Sequence, residues 1–328
     1  MTRSVLKEIP FVILNDIRTG GKPLMAKALA AIESHPRAEA TVALLDEAFL
    51  SPTGTVIGMT GPPGVGKSTL LNAIIREWRS AGKTVGCIAV DPSSRRSKGA
   101  LLGDRTRLTS NPDDDGLFFR SMAARERLGG LASLTISAMV LMRAVYDVVL
   151  IETVGVGQSE TDVAQVADTV LFCVQPGSGD SLQYMKAGIA EIPHVVAVTK
   201  ADMTMEALRA KMDVEGALGL SAMAEPDGWE IPVVLVSAVS GQGIADLRLA
   251  LDRHADHLIK TQTLPTNRIR QAESWLVDMI GERFGKAGIE MIGRHTGASV
   301  GYLRLGENDS PFNRLLETER HLRISWET

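Results

Sequence analysis

Apolar positions recur at helical spacing over Pro23–Ile32, and again over 38–49 after the break at His35-Pro36, so the chain opens with two short helices laid against a main domain. Thr55–Thr60 is a short apolar, β-favouring run that ends directly in a glycine-rich turn. A helix follows over Ser68–Ala81, with Leu70, Leu71, Ile74, Ile75 and Trp78 on its inward side, then a strand over Thr84–Val90 that Asp91-Pro92 stops. Residues 93–130 have no dominant period and gather charge and glycine. So long a stretch is expected to be a mobile functional loop with short helical pieces. Ser133–Arg143 reads as a helix, and strands are expected at Val148–Ile151, Thr169–Val174, His194–Val198 and Val233–Val236. Apolar strands separated by helix-length segments imply an α/β fold: a mostly parallel open sheet with right-handed crossovers and helices on both faces.

After about Leu264 the pattern changes. Ile269, Ala272, Leu276, Met279, Ile280 and Gly281 lie near one side of a helix, Trp275 and Phe284 add apolar area, and a further helical piece covers 312–322. The domains expected are therefore an N-terminal helical extension over 1–50, a nucleotide domain over 51–263 and a C-terminal helical arm over 264–328. That arm packs either on its own domain or on a second copy of the chain; periodicity leaves both open.

Composition narrows the class. With 328 residues and 45% hydrophobic content there is enough chain for one large α/β domain plus an appendage, which excludes disorder as the overall state. Only 4% of residues are aromatic, so the core must be mostly aliphatic. Lys and Arg number 35 against 39 Asp and Glu, a net charge of -4 that gives no general footprint for a phosphate backbone, so nucleic acid is not expected as a partner. Cys87 and Cys173 each sit inside an apolar run and read as buried thiols. The six histidines are scattered without metal-ligand spacing. The first residues lack the apolar stretch and small-residue cleavage site of a secretion signal, and the most apolar segment, 131–151, is interrupted by Arg143 and Asp147. A cytoplasmic protein with no membrane partner is expected.

The strongest chemical signal is Gly61-Pro62-Pro63-Gly64-Val65-Gly66-Lys67-Ser68, which fits GxxxxGK[ST] between a predicted strand and a predicted helix. Glycines let the backbone curl so that its N–H groups point into one concavity, and the helix adds its N-terminal partial charge. Lys67 can reach the β and γ phosphates and Ser68, followed by Thr69, can ligate Mg²⁺. The fold class sharpens to a P-loop NTPase three-layer sandwich with helical N-terminal and C-terminal extensions. Two later segments address the base. Thr199-Lys200-Ala201-Asp202 puts a polar T-K-x-D at a strand end, where Asp202 can accept from the ring N–H and exocyclic amine of guanine while the stem of Lys200 covers the ring. Adenine offers no ring donor there, so the same carboxylate would meet an acceptor. Ser237-Ala238, at the end of the last strand, resembles the short loop whose backbone receives the guanine oxygen in GTPases.

Acidic groups supply the rest. Asp91 lies just beyond a strand and Glu152 ends another, in Glu152-Thr153-Val154-Gly155, where Glu replaces the usual Asp of D-x-x-G. Either can serve Mg²⁺ or instead cap a following helix. Asp104, bracketed by Arg95, Arg96, Lys98, Arg105 and Arg107, can orient metal or water or belong to a solvated charge cluster, and Gln158 can position water although it is displaced from its place in small GTPases. The chemistry expected is in-line hydrolysis, with Lys67, Mg²⁺ and backbone N–H groups stabilising charge.

Asp91-Pro92-Ser93-Ser94, Leu102-Gly103-Asp104-Arg105-Thr106-Arg107, Leu128-Gly129-Gly130, residues 152–160, Gln175-Pro176-Gly177-Ser178-Gly179-Asp180 and the T-K-x-D segment together resemble the MeaB/ArgK family of metallochaperone-type P-loop GTPases. The resemblance spans about residues 20 to 325. It implies a homodimer joined through the C-terminal arm, and a GTPase that binds an adenosylcobalamin-dependent mutase, methylmalonyl-CoA mutase above all, gating cofactor loading and protecting the mutase. No cobalamin site is expected within this chain alone. By position, Lys67 and Ser68 would hold phosphate and Mg²⁺, Asp91, Asp104 and Glu152 would organise metal and hydrolysis, Asp202 would read guanine, and residues 176–186 would form an additional mobile switch. Where the family usually has Thr-Gly-Gly-Ser, this chain reads Arg95-Arg96-Ser97-Lys98-Gly99-Ala100-Leu101. Two other classes use the same loop: a small-molecule kinase linked to regulation of amino-acid transport, and an ATP-dependent assembly or partitioning protein.

Overall fold

The computed structural model describes residues 12–91, 113–123, 133–153, 159–177, 192–221, 228–296 and 303–327. In chain order the elements are α1 (Leu14–Ser34), α2 (Glu39–Leu50), β1 (Thr55–Thr60), α3 (Lys67–Ser80), β2 (Val85–Asp91), β3 (Leu117–Ala123), α4 (Ser133–Arg143), β4 (Val148–Glu152), α5 (Ser159–Ala164), β5 (Thr169–Val174), β6 (Val195–Val198), α6 (Thr204–Ser221), β7 (Val233–Leu235), α7 (Ile244–Lys260), α8 (Thr263–Thr296) and α9 (Pro311–Glu327). The chain divides into two compact units, one of residues 53–139 and 146–272, the other of residues 1–52, 140–145 and 273–328.

The larger unit is built on a seven-stranded sheet in the order β3-β2-β4-β1-β5-β6-β7, with every described pairing parallel. It is an α/β sheet of P-loop type. Alternation along each strand sends Ile57, Met59, Cys87, Leu150, Leu171, Cys173 and Ala197 into one core, closed by Leu70, Leu71, Ile74 and Trp78 of α3 and by Leu247, Ala250 and Leu251 of α7. Trp78 and Arg248 both donate to Asp252, at 3.0 and 2.6 Å, which pins α3 to α7. Phe172, Val174, Val196 and Val198 face the other way onto Ala207 and Val214 of α6. Central strands buried on both faces explain why β1, β5 and β6 read as unbroken apolar runs.

Strand β3 corrects the expectation of a mobile functional loop with short helical pieces over 93–130, which includes no strand. Leu117–Ala123 pairs with the whole of β2, and its Arg120 and Ser121 break the apolar run as suits a strand at the sheet edge. The first helix also begins earlier than its apolar period, at Leu14, with an interruption at Gly21, whose φ of 62° admits the Pro23 that follows.

In the other unit, Arg18 donates to the carbonyls of Ala144 and Ser51 at 2.8 and 2.9 Å. Glu319, buried on α9, pairs with Arg37 at 3.5 Å and with Arg283 of α8. Ser310 caps α9 through the Phe312 N–H at 3.2 Å, and Asp46 of α2 accepts from the Asn313 N–H at 3.2 Å. Burial drives the Asp46 carboxyl above its ordinary range, against the opposing pull of Ser310 and Asn313.

Candidate nucleotide site

The carboxyl ends of β1, β4, β6 and β7 carry the described candidate residues. Between β1 and α3 the loop turns on left-handed glycines. Gly61 has φ 140°, and a Cβ there would collide with the Cys173 carbonyl oxygen of β5; Gly66, at φ 96°, caps α3. Gly64, Val65, Pro62 and Pro63 complete the turn, and Thr69 lies in the first turn of α3. Lys67 is buried, and its ammonium donates to the carbonyls of Gly61 at 2.7 Å and Pro62 at 3.0 Å. The cation is thus held within the ring of the loop that an anion would enter.

Ser68, one residue on, donates to Glu152 at the end of β4 at 2.5 Å. A hydroxyl and a carboxylate brought together from two elements form a hard-oxygen donor set of the kind that suits Mg²⁺. Asp91 is the last residue of β2, so its backbone lies at the same end of the sheet; its side chain lies outside the described residues, as do Asp104 and Gln158. Residues 95–101 and most of the proposed switch over 176–186 lie outside them too.

The base-reading candidates are wired to the phosphate loop. Thr199 donates from Oγ1 to the Val65 carbonyl at 2.8 Å and to that of Val174 at 3.0 Å, so β5, β6 and the loop share one hydroxyl. Lys200 takes a left-handed φ of 55° and donates from Nζ to Gln175 Oε1 at 2.6 Å. Asp202 accepts from the Ser237 hydroxyl at 2.7 Å, and that bond, chiefly, holds its carboxyl below the ordinary range, with a smaller push from the Lys200 charge. Ala238 follows Ser237 in the same loop. Sequence reasoning placed Ser237 as a backbone donor to the base and missed that its side chain orients Asp202; it quoted Gln175 within the segment 175–180 of the resemblance but gave it no role toward Lys200.

Cys173, under the loop, is fully buried and its thiol is pushed up to about 12 by desolvation, which fits a packing role. Among the described residues no group of three or more His, Cys, Asp or Glu side chains gathers as a metal site, and no helix is long and apolar enough to cross a membrane.

The chain is similar to known proteins over most of its length. Residues 25–290 match the family described as methylmalonyl Co-A mutase-associated GTPase MeaB. GTPase ArgK of Escherichia coli is 36% identical over 271 residues, covering 79% of this chain and 80% of its own. The mouse methylmalonic aciduria type A homolog, a mitochondrial protein, is 33% identical over 279 residues, covering 80% of this chain and 67% of its own. A crystal structure of an LAO/AO transport system kinase superposes with a TM-score of 0.66 at 25% identity, covering 98% of this chain and 99% of that one.

Proposed function

We propose, starting from a chain that belongs to the MeaB family and is a GTP-hydrolysing enzyme, that it acts as a Mg²⁺-dependent GTP switch serving an adenosylcobalamin-dependent acyl-CoA mutase, methylmalonyl-CoA mutase first among them. The observation that carries the reading is a pair of hydrogen bonds on one turn: Thr199 to the Val65 carbonyl of the phosphate loop and, three residues on, Ser237 to Asp202. Thr199 thus fixes to the phosphate loop the start of the turn that carries Lys200 and Asp202, so that one nucleotide can meet both.

In this reading the backbone N–H groups of 61–68 receive the phosphates and the N-terminus of α3 adds its partial charge. Lys67 exchanges loop carbonyls for phosphate oxygens. Asp202, kept ionised by Ser237, accepts from the guanine N–H and amine, while Lys200 covers the ring. Mg²⁺, when bound, neutralises charge on the β and γ phosphates, and Ser68 and Glu152, with Asp91 and Asp104, are the residues that would hold it. Water attacks the γ phosphorus, the bond to the bridging β–γ oxygen breaks, and GDP and inorganic phosphate leave. Gln158 is assigned to that water.

The family description, which names methylmalonyl Co-A mutase, supports the mutase as client. The chain is taken as a homodimer joined through 264–328, with 1–50 and 51–263 as the preceding domains, and as cytoplasmic. Titrating methylmalonyl-CoA mutase with the GDP-bound and GTP-analogue-bound protein tests the assignment. Association or cofactor transfer should differ between the two nucleotide states, and indifference to nucleotide would refute the client. The kinase relative supports a second reading, transfer to a small-molecule acceptor. Labelled γ-phosphate appearing on a metabolite, and not as inorganic phosphate, would favour it.

A further inference from the structure

We infer that Gln175 is a positioning residue for guanine-nucleotide binding, and that it acts by holding Lys200 in place as the cover of the base. The inference rests on the reading of Lys200 and Asp202 as base-binding residues and adds to it a group from a different strand.

Three observations converge. Lys200 adopts a left-handed backbone, φ 55°, which L side chains take up rarely and which a set of contacts must hold. Those contacts are Thr199 N–H to Val174 O at 2.8 Å, Ala201 N–H to Val236 O at 3.0 Å and Met203 N–H to Lys200 O at 2.9 Å. They anchor the backbone and leave the side chain to be fixed separately. Lysine has among the largest rotamer freedom to lose, and the surface around it is exposed, so an unanchored stem would have to be ordered each time a base arrived. Gln175 supplies the anchor, with Oε1 accepting from Nζ at 2.6 Å.

The anchor itself has a fixed origin. Gln175 directly follows Val174, whose carbonyl accepts both the Thr199 N–H and its hydroxyl, and Thr199 reaches on to Val65 in the phosphate loop. The amide is therefore presented from the same frame that carries the base readers. Its chemistry is also suited. A neutral acceptor orients the ammonium without cancelling its charge, which continues to favour the ionised form of Asp202. Preorganising the cover before the base arrives lowers the cost of ordering on binding.

The cover contacts the ring face, which guanine and hypoxanthine share, whereas Asp202 meets the exocyclic amine that hypoxanthine lacks. Loss of the anchor should then weaken both bases alike and spare the phosphates. Affinities of Gln175→Leu for GDP, inosine diphosphate and tripolyphosphate test this. GDP and inosine diphosphate should each weaken by the same factor, about three- to tenfold, with tripolyphosphate unchanged. Gln175→Asn, which keeps a neutral amide acceptor, should retain more of the GDP to tripolyphosphate affinity ratio than Gln175→Leu. Unchanged GDP affinity in Gln175→Leu, or an equal loss for tripolyphosphate, would overturn the inference. Lys200→Ala separates the two levels: if it too leaves GDP affinity unchanged, the base-site reading fails, and if it weakens GDP where Gln175→Leu does not, only the role of Gln175 fails.

Discussion

The two ends of the parallel sheet use polar side chains in opposite ways. At the amino ends, polar groups are consumed by the fold. Asp168, its side chain 1% exposed, takes two hydrogen bonds from Arg268 at 2.8 and 2.6 Å and one from the Val56 N–H at 2.8 Å, while Arg268 also reaches the Gly54 carbonyl. Asp147 closes the entry to β2 through the N–H and hydroxyl of Thr84. Asp114 does the same near β3 through Arg79, and the ring nitrogen of His194 accepts the Val170 N–H of β5. At the carboxyl ends the bonds are of another kind. Lys67 on loop carbonyls, Ser68 on Glu152, Lys200 on Gln175 and Ser237 on Asp202 each orient a group at the edge where the proposed nucleotide site lies. One end spends its polar chemistry on stability and the other on orientation, which is the division expected of an open α/β sheet whose ligands bind at the carboxyl edge.

Breaking the amino end should have the largest effect. Arg268→Ala leaves a buried carboxylate without its guanidinium, and a loss of about 3–5 kcal/mol in denaturant unfolding is expected, with nucleotide affinity of the protein that remains folded unchanged. Lys67→Ala reverses that pattern. Triphosphate affinity should fall by roughly a hundredfold or more, as expected on losing charge-assisted bonds to two phosphates, while the unfolding midpoint of the nucleotide-free protein moves far less than in Arg268→Ala. A large stability loss in the lysine variant would erase the contrast.

Much of the carboxyl end was legible because its signals are local. Eight consecutive residues specify the phosphate loop, and four specify the T-K-x-D turn. The amino end was not, since Asp168 and Arg268 are joined across 100 residues and neither sits in a motif. The core faces of β1, β5 and β6 could be read because burial on both sides makes them continuous apolar runs. Strand β3 escaped because an edge strand needs apolar residues only in part, and Arg120-Ser121 disguised it within a charged stretch. The links from Thr199 to Val65 and from Gln175 to Lys200 cross between strands that are distant in sequence, so no spacing announces them.

Two smaller effects sharpen the account of the carboxyl end. Glu152→Gln keeps a hydrogen-bonding partner for Ser68 but removes its charge, so the Mg²⁺ concentration needed for half-maximal hydrolysis should rise by about tenfold, with nucleotide affinity measured without metal little changed. The smallest concerns protons. The Asp202 carboxyl is lowered chiefly by Ser237, so its contribution to stability is present above the unfolded value near 3.9 and is lost as pH falls through the lower folded value. Ser237→Ala should move the folded value back up toward the ordinary range and narrow that window, as followed by carboxyl NMR titration. An unmoved titration would mean that the hydroxyl does not set the charge on Asp202.

Competition between GDP and ADP for the parent protein and for Asp202→Asn tests most directly the claim that the carboxyl end is a guanine site. The parent should prefer GDP by at least about tenfold, and Asp202→Asn should lose most of that preference while its melting temperature falls only slightly. A parent that binds ADP as tightly as GDP, or an Asp202→Asn protein that keeps the full preference, would contradict it.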